Sequence, residues 1–219
     1  MTSHGPETPY EQPLDPSEHL AAEIAYHRII EQHLGMIVVT QEQEKQAITS
    51  ERDEWEKEAT TDNLTELPNR LALTRRLEDL VTREPGRFAL AFVDLDGLKR
   101  INDEQGHQAG NELIINAANV MAESIRTQDA SKYPARKHDT EGRAAVRLSG
   151  DEFVLIIDNV DDPGQLTQII DRVQGNLHDA DISASIGASL HTPGQTGLQL
   201  LEEVDHKMYE QKQDRRRAR

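Results

Sequence analysis

The chain has 219 residues, with 40 Asp and Glu against 24 Lys and Arg, a net charge of −16 and no cysteine. That length suits one domain plus an extension. The charge argues against nucleic acid as a partner, and the absent cysteines exclude disulfides and thiolate metal ligands.

Residues 1–15, with Pro6, Pro9 and Pro13, read as a disordered lead-in. Residues 16–60 read as a helical extension in two pieces. Leu20, Ile24, Ile30, Leu34 and Val38 lie roughly on one helical face, which Gly35 is placed to interrupt. A second, highly charged helix is expected over 41–60. There Ile48, Trp55 and Ala59 follow a heptad seam that also carries Gln41, Lys45 and Arg52. A solvated linker and a short dimerising stalk both fit, and the seam favours the stalk. Residues 1–60 hold 13 Asp and Glu against 4 Lys and Arg, so much of the net charge lies here. The longest apolar run in this region, Met36-Ile37-Val38-Val39, is too short to span a bilayer, and no signal peptide is recognisable. A cytoplasmic protein with no membrane partner is expected.

Residues 61–219 read as a helix at 69–83, a strand at 87–94 and a helix at 108–126. A hairpin at 144–157, a helix at 163–178, a strand at 181–190 and a helix at 197–214 follow. Helices alternating around a central hairpin imply an α/β (α+β) sandwich whose mixed sheet carries both antiparallel and parallel pairs.

Two acidic strand ends stand out. Phe88–Val93 runs straight into Asp94-Leu95-Asp96-Gly97. Ala144–Val146 and Phe153–Ile157 flank a turn, Ser149-Gly150-Asp151-Glu152. Acids at a loop tip are ordinarily just solvated. If the two strands are neighbours, about 5 Å apart, their terminal carboxylates can share a hard cation. A calcium loop at Asp94 and Asp96 fails on spacing, since it needs a polar ligand at Leu98 and glycine at Lys99. The backbone amides of Leu95 through Lys99, on a turn eased by Gly97, can form an anion-binding nest. No histidine has ligand spacing for zinc, and His107 reads as fold rather than chemistry.

The hairpin turn closely resembles the signature of the GGDEF domain, the catalytic domain of diguanylate cyclases, with Ser149 for its first glycine. Asp62-Asn63-Leu64-Thr65-Glu66-Leu67-Pro68-Asn69-Arg70 resembles the family's D-x-L-T-G-L-x-N-R, with Glu66 for glycine. Asp94 through Asp103 is similar to D-x-D-x-F-K-x-I-N-D, with Leu98 for phenylalanine. Gly106-His107 and Gly110-Asn111 follow G-H-x-x-G-D, with asparagine for aspartate. Ile182 through Gly187 resembles the family's late strand, and Asp205 through Lys212 its closing D-x-x-M-Y-x-x-K helix. The resemblance covers about residues 60–217.

The resemblance implies a nucleotide-cyclase, palm-like domain that condenses two GTP into cyclic di-GMP with loss of two pyrophosphates. It implies Mg²⁺, two ions with Mn²⁺ as a substitute, held by Asp94, Asp151 and Glu152 together with Leu95. Asp151 is also placed to help deprotonate the attacking hydroxyl. It puts the phosphates on Leu95, Gly97, Leu98, Lys99, Lys212 and Arg216, and the guanine on Asn102 and Asn111; Asp96 is more structural. Each domain would hold one nucleotide, so a homodimer joined through the N-terminal helices is implied, with an input signal from a regulatory partner that the sequence does not name. Asn111 departs from the family's aspartate, which accepts from two guanine donors; an amide has one acceptor and can pair with adenine instead. Weakened GTP selectivity, use of ATP in a mixed product, or a degenerate nucleotide-binding module all stay open. The family's product-inhibition motif R-x-x-D falls on Thr140 and Arg143, which cannot form it. Arg126 and Asp129 have the spelling but stand about 14 residues too early. Ser149 suits the turn only if its φ is not positive. Glu66 and Leu98 are expected to alter packing or the dimer rather than chemistry.

Overall fold

The domain is assembled around a strand that is buried along its whole length, β1 (Phe88–Leu95). The computed structural model describes residues 16–126 and 143–217. Before β1 come α1 (Pro16–Thr60) and α2 (Arg70–Arg83); after it come α3 (Leu98–Gln105), α4 (His107–Arg126), β2 (Arg143–Ser149) and β3 (Glu152–Asp158). The chain continues through α5 (Pro163–Asp179) and β4 (Ala184–Leu190) to α6 (Gly197–Arg217). The described residues fall into two units, one ending at Glu56 and the other beginning at Lys57.

The strands lie in the order β2-β3-β1-β4, and every neighbouring pair is antiparallel. The expected parallel pairs are therefore absent among the described residues. Each helical crossover, β1 to β2 and β3 to β4, does return to a strand of the same direction. A strand of the opposite direction lies between the two each time, which is the split βαβ arrangement. Strand alternation then sorts the core into two layers. Ala89, Ala91, Val93 and Leu95 face the residues of α4 and α5, whereas Phe88, Leu90 and Phe92 face those of α2 and α6. At Gly187 an added Cβ would lie 2.1 Å from the backbone nitrogen of Met208, so α6 rests directly on the backbone of β4. That contact sets the height of α6 over the sheet.

Three further expectations need correction. Residues 16–60 form one helix, with no break at Gly35. Gly35 meets nothing within 4 Å, and a solvated glycine inside a helix costs only about 1 kcal/mol. Continuity brings the two halves into one heptad register, since Leu20, Leu34 and Ile48 recur every 14 residues and Trp55 follows 7 later. All four are exposed. Second, α3 falls where no helix was expected, because its eight residues are mostly polar and only Leu98 among them is buried. Third, β4 begins at Ala184 rather than 181; Asp181 stands at φ 59°, in a turn. No helix among the described residues is long and apolar enough to cross a membrane.

Candidate active site

Sheet register brings the two acidic strand ends together. Asp94 is the Cα partner of Glu152 on β3 and of Ser185 on β4. Side chains at directly opposed positions point to the same face, so all three stand in a row at the edge of the α6 side. Asp94 is 9% exposed, and Lys212, reaching from α6, donates to its Oδ1 at 2.5 Å. Burial pushes the Asp94 carboxyl above the usual carboxylate range. Lys212 works against that, and the nearby charges of Asp151 and Asp96 add to it. The site therefore favours a positive charge beside Asp94. Ser185 is fully buried, and its Oγ has no hydrogen-bond partner among the described residues.

The turn that presents Asp151 and Glu152 is fastened at several points. Gly150 takes the positive φ, 47°, and Ser149 does not, so the serine is accommodated without backbone strain. Ser149 Oγ donates to Glu152 Oε2 at 2.9 Å. The Leu95 amide donates to the Asp151 carbonyl at 3.1 Å and ties the turn to the end of β1. Arg147 makes the largest contribution. Its guanidinium donates to the Gly150 carbonyl from Nε and Nη2 and to both Asp62 oxygens from Nη1. The carboxylate of Asp62 in turn caps Thr65, accepting from its amide and its hydroxyl. The opening motif and the hairpin are thus one hydrogen-bonded unit, a link that the sequence reading did not anticipate. Glu66, within that motif, stands at φ 58°. Its replacement of glycine therefore has a conformational consequence, a left-handed backbone at a residue that carries a side chain.

Lys212 and Asp151 also line a cavity of about 320 Å³, together with Leu95, Asp96, Gly97, Leu98, Lys99 and Arg215. Gly97, at φ 82°, reverses the chain so that α3 begins at Leu98 with its first amides unused within the helix. Asp96 braces the floor: it accepts from Ser183 Oγ at 2.7 Å and lies 3.6 Å from Arg215. Arg215 also donates to the Ala184 carbonyl. The sequence pattern points to the neighbouring Arg216 and not to this arginine. Both stand about one turn beyond Lys212, and only the structure decides that Arg215 lines the cavity. Arg216 belongs to α6, but its side chain lies outside the described residues. So do Arg126 as a side chain, Asp129 and Thr140.

Asn102 and Asn111 do not line this cavity. Asn102 is half-buried on α3 and Asn111 is exposed in the first turns of α4, one residue after Gly110. A Cβ at Gly110 would fall 2.0 Å from Asn102 Oδ1 and 3.1 Å from Leu98 Cδ1. Glycine at 110 is what lets Asn102 and Leu98 occupy the helix junction.

Among the described residues no group of three or more His, Cys, Asp or Glu is gathered to hold a metal. Two adjacent carboxylates, one of them buried and with its pKa raised, beside a cavity edged with amides and cations, nonetheless fit Mg²⁺. That ion takes one or two carboxylates and completes its shell with phosphates and water, without a protein cage.

Fold and site together define an α/β domain of the split βαβ kind with an acidic sheet edge beside a cavity lined by cationic side chains. The chain belongs to the family "Diguanylate cyclase, GGDEF domain", whose sequence model matches residues 59–218. It is 38% identical over 165 residues to the bifunctional diguanylate cyclase/cyclic di-GMP phosphodiesterase MucR of Pseudomonas aeruginosa, covering 70% of this chain and 22% of that protein. It is 30% identical to the diguanylate cyclase DgcN of Escherichia coli, over 72% of this chain and 38% of that one. The chain spans half or less of the length of these curated relatives. Among solved structures, a sensory box/GGDEF family protein from Caulobacter crescentus superposes with a TM-score of 0.59 at 27% identity, over 71% of this chain and 99% of that one. The coiled coil and GGDEF domain of DgcB from the same organism, in complex with c-di-GMP, gives 0.67 at 23% identity, over 83% and 95%.

Proposed function

We propose that this chain is a diguanylate cyclase that condenses two GTP into cyclic di-GMP and releases two pyrophosphates. The observation that carries this reading is the Asp94–Glu152 pair at the sheet edge, beside the cavity of residues 95–99 and beneath Lys212. Asp94, Glu152 and Asp151, with Leu95, would hold one or two Mg²⁺ ions, or Mn²⁺, which neutralise the triphosphate and activate the α-phosphorus when bound. The amides behind Gly97, with Lys99, receive the β- and γ-phosphates at the start of α3. Lys212 exchanges Asp94 for a phosphate oxygen, because a cation on Asp94 competes with the ammonium for the same carboxylate. Arg216 is assigned a second phosphate contact from the family pattern. The O3′ of one GTP attacks the α-phosphorus of the other. The O3′–P bond forms, the bond to the departing pyrophosphate oxygen breaks, and the hydroxyl proton passes towards Asp151.

Two such domains must face each other, and α1 supplies a means. Its exposed Leu20, Ile24, Leu34, Val38, Ile48 and Trp55 make one heptad seam suited to a second copy of the helix. A regulatory input would act on this arm or through a partner bound to it.

Asn111 favours a second reading, a cyclase of relaxed base choice that also takes ATP and makes mixed cyclic dinucleotides. With Asn102 it would face the base, and its amide presents a donor to a guanine donor. Such mispairing costs about 1–3 kcal/mol, or roughly 10- to 100-fold in discrimination. The test is to incubate the protein with Mg²⁺ and GTP, ATP or both, and to identify products by mass. Cyclic di-GMP from GTP alone supports the first reading, and an adenine-containing product the second. Bound GTP without product would make the chain a regulatory nucleotide-binding module instead.

A further inference from the structure

We infer that Ser149 is a positioning residue for Glu152: it holds one carboxylate oxygen so that the other is presented to the cation. This rests on the cyclase reading above. Ser149 and Glu152 are Cα partners that close the hairpin, and the hydroxyl donates to Oε2 at 2.9 Å. Glutamate has three side-chain torsions, and at the tip of a half-exposed hairpin it samples several rotamers unless something restrains it. A hydroxyl–carboxylate hydrogen bond is charge-assisted, so it restrains more strongly than one between neutral groups. The backbone tolerates this device because Gly150, and not Ser149, carries the positive φ of the turn. The glycine that the family signature has at this place offers no side-chain donor, so the restraint depends on the serine at 149. The role inferred for Ser149 is that of a positioning residue acting through Glu152, to which its hydroxyl is bonded.

The consequence is a pre-set ligand. Oε1 is left for the cation, and less side-chain entropy is lost when the metal–nucleotide complex arrives. Because Ser149 is exposed and water competes for both groups, the gain in metal affinity is about 3- to 10-fold.

The experiment is a Mn²⁺ titration of the full chain, saturated with a GTP analogue that cannot release pyrophosphate, followed by electron paramagnetic resonance. Ser149→Ala should raise the Mn²⁺ dissociation constant by about 3- to 10-fold, and Ser149→Thr should restore it. In a Glu152→Gln background, Ser149→Ala should add nothing. An unchanged dissociation constant in Ser149→Ala overturns the inference, as does a threonine variant no better than alanine. If the unaltered chain binds Mn²⁺ and makes product while Ser149→Ala behaves identically, only the role of Ser149 falls. If the unaltered chain binds no Mn²⁺ and makes no product, the cyclase reading falls with it.

Discussion

Removing the Arg147 side chain should cost far more than an ordinary surface truncation. The Arg147 side chain is 11% exposed and makes four hydrogen bonds, at 2.9 and 3.2 Å to Asp62 and at 2.9 and 3.2 Å to Gly150. Breaking a buried ion pair by deleting one partner costs about 3–5 kcal/mol, since the other charge is left without compensation. Asp62 keeps both its Thr65 hydrogen bonds and is about a quarter exposed, which puts Arg147→Ala near the low end, about 3 kcal/mol. For a domain of this size that is a fall in Tm of about 6–12 °C. Acid dependence gives a second signature. Burial works to raise the Asp62 pKa, but the hydrogen bonds of Thr65 and Arg147 outweigh it and hold the group below its ordinary 3.8. Its stabilisation is therefore whole above that value and is lost as the pH falls through the depressed one; Arg147→Ala should flatten that loss. Urea titration followed by far-UV circular dichroism is the assay, because the single tryptophan, Trp55, is 66% exposed on α1 and reports nothing of the domain core. A loss under about 0.5 kcal/mol would refute the reasoning, as would additive losses in Asp62→Ala combined with Arg147→Ala.

Glu66→Gly should raise stability by up to about 1 kcal/mol in the same titration, since a left-handed non-glycine residue costs about 1–2 kcal/mol and glycine's extra freedom when unfolded takes part of that back. Gly187→Ala should cost more than about 4 kcal/mol and leave little folded protein by circular dichroism, because the new Cβ would meet the α6 backbone and not a movable side chain. Glu203 should help define the acid limb of a melting-temperature profile. The Lys207 hydrogen bond, aided by Ser189 and Gln195 against burial, holds its pKa at about 2. Its contribution is complete above 4.5 and fades as the pH falls from there towards 2, and Ser189→Ala should shrink that change. Asn111→Asp should sharpen GTP selectivity by roughly 10- to 100-fold, measured as product formed from GTP in competition with ATP.

The strands and long helices were legible because their apolar residues obey simple periods. Phe88–Val93 is uninterrupted and fits a central strand, while the hairpin declares its turn at Ser149-Gly150. α3 was hidden because a short polar helix at a junction is specified by Gly97, Gly106 and Gly110 rather than by an apolar face. Continuity of α1 through Gly35 was equally invisible, since propensity marks a weak point without saying whether the helix yields there. The two acidic strand ends were found, but their pairing depended on strand order. The roles of Arg147 and Arg215 are not legible in the sequence for a common reason: each acts by reaching a residue far away in sequence, Asp62 in one case and Asp96 in the other. Neither distance leaves a local pattern.

The α3–α4 junction makes the two asparagines unequal in what they allow the lineage to explore. A side chain added at Gly110 would meet Asn102 Oδ1 at 2.0 Å, so a change at 110 must be answered by movement or replacement at 102. Asn111, one residue further along α4, faces outward and is bound by no such reciprocity. On the base-reading role proposed for Asn111, a change there would alter ligand preference at little cost to the fold, whereas a side chain at 110 would disturb the junction. An asparagine at 111 in an otherwise intact motif is the kind of divergence that such an asymmetry permits.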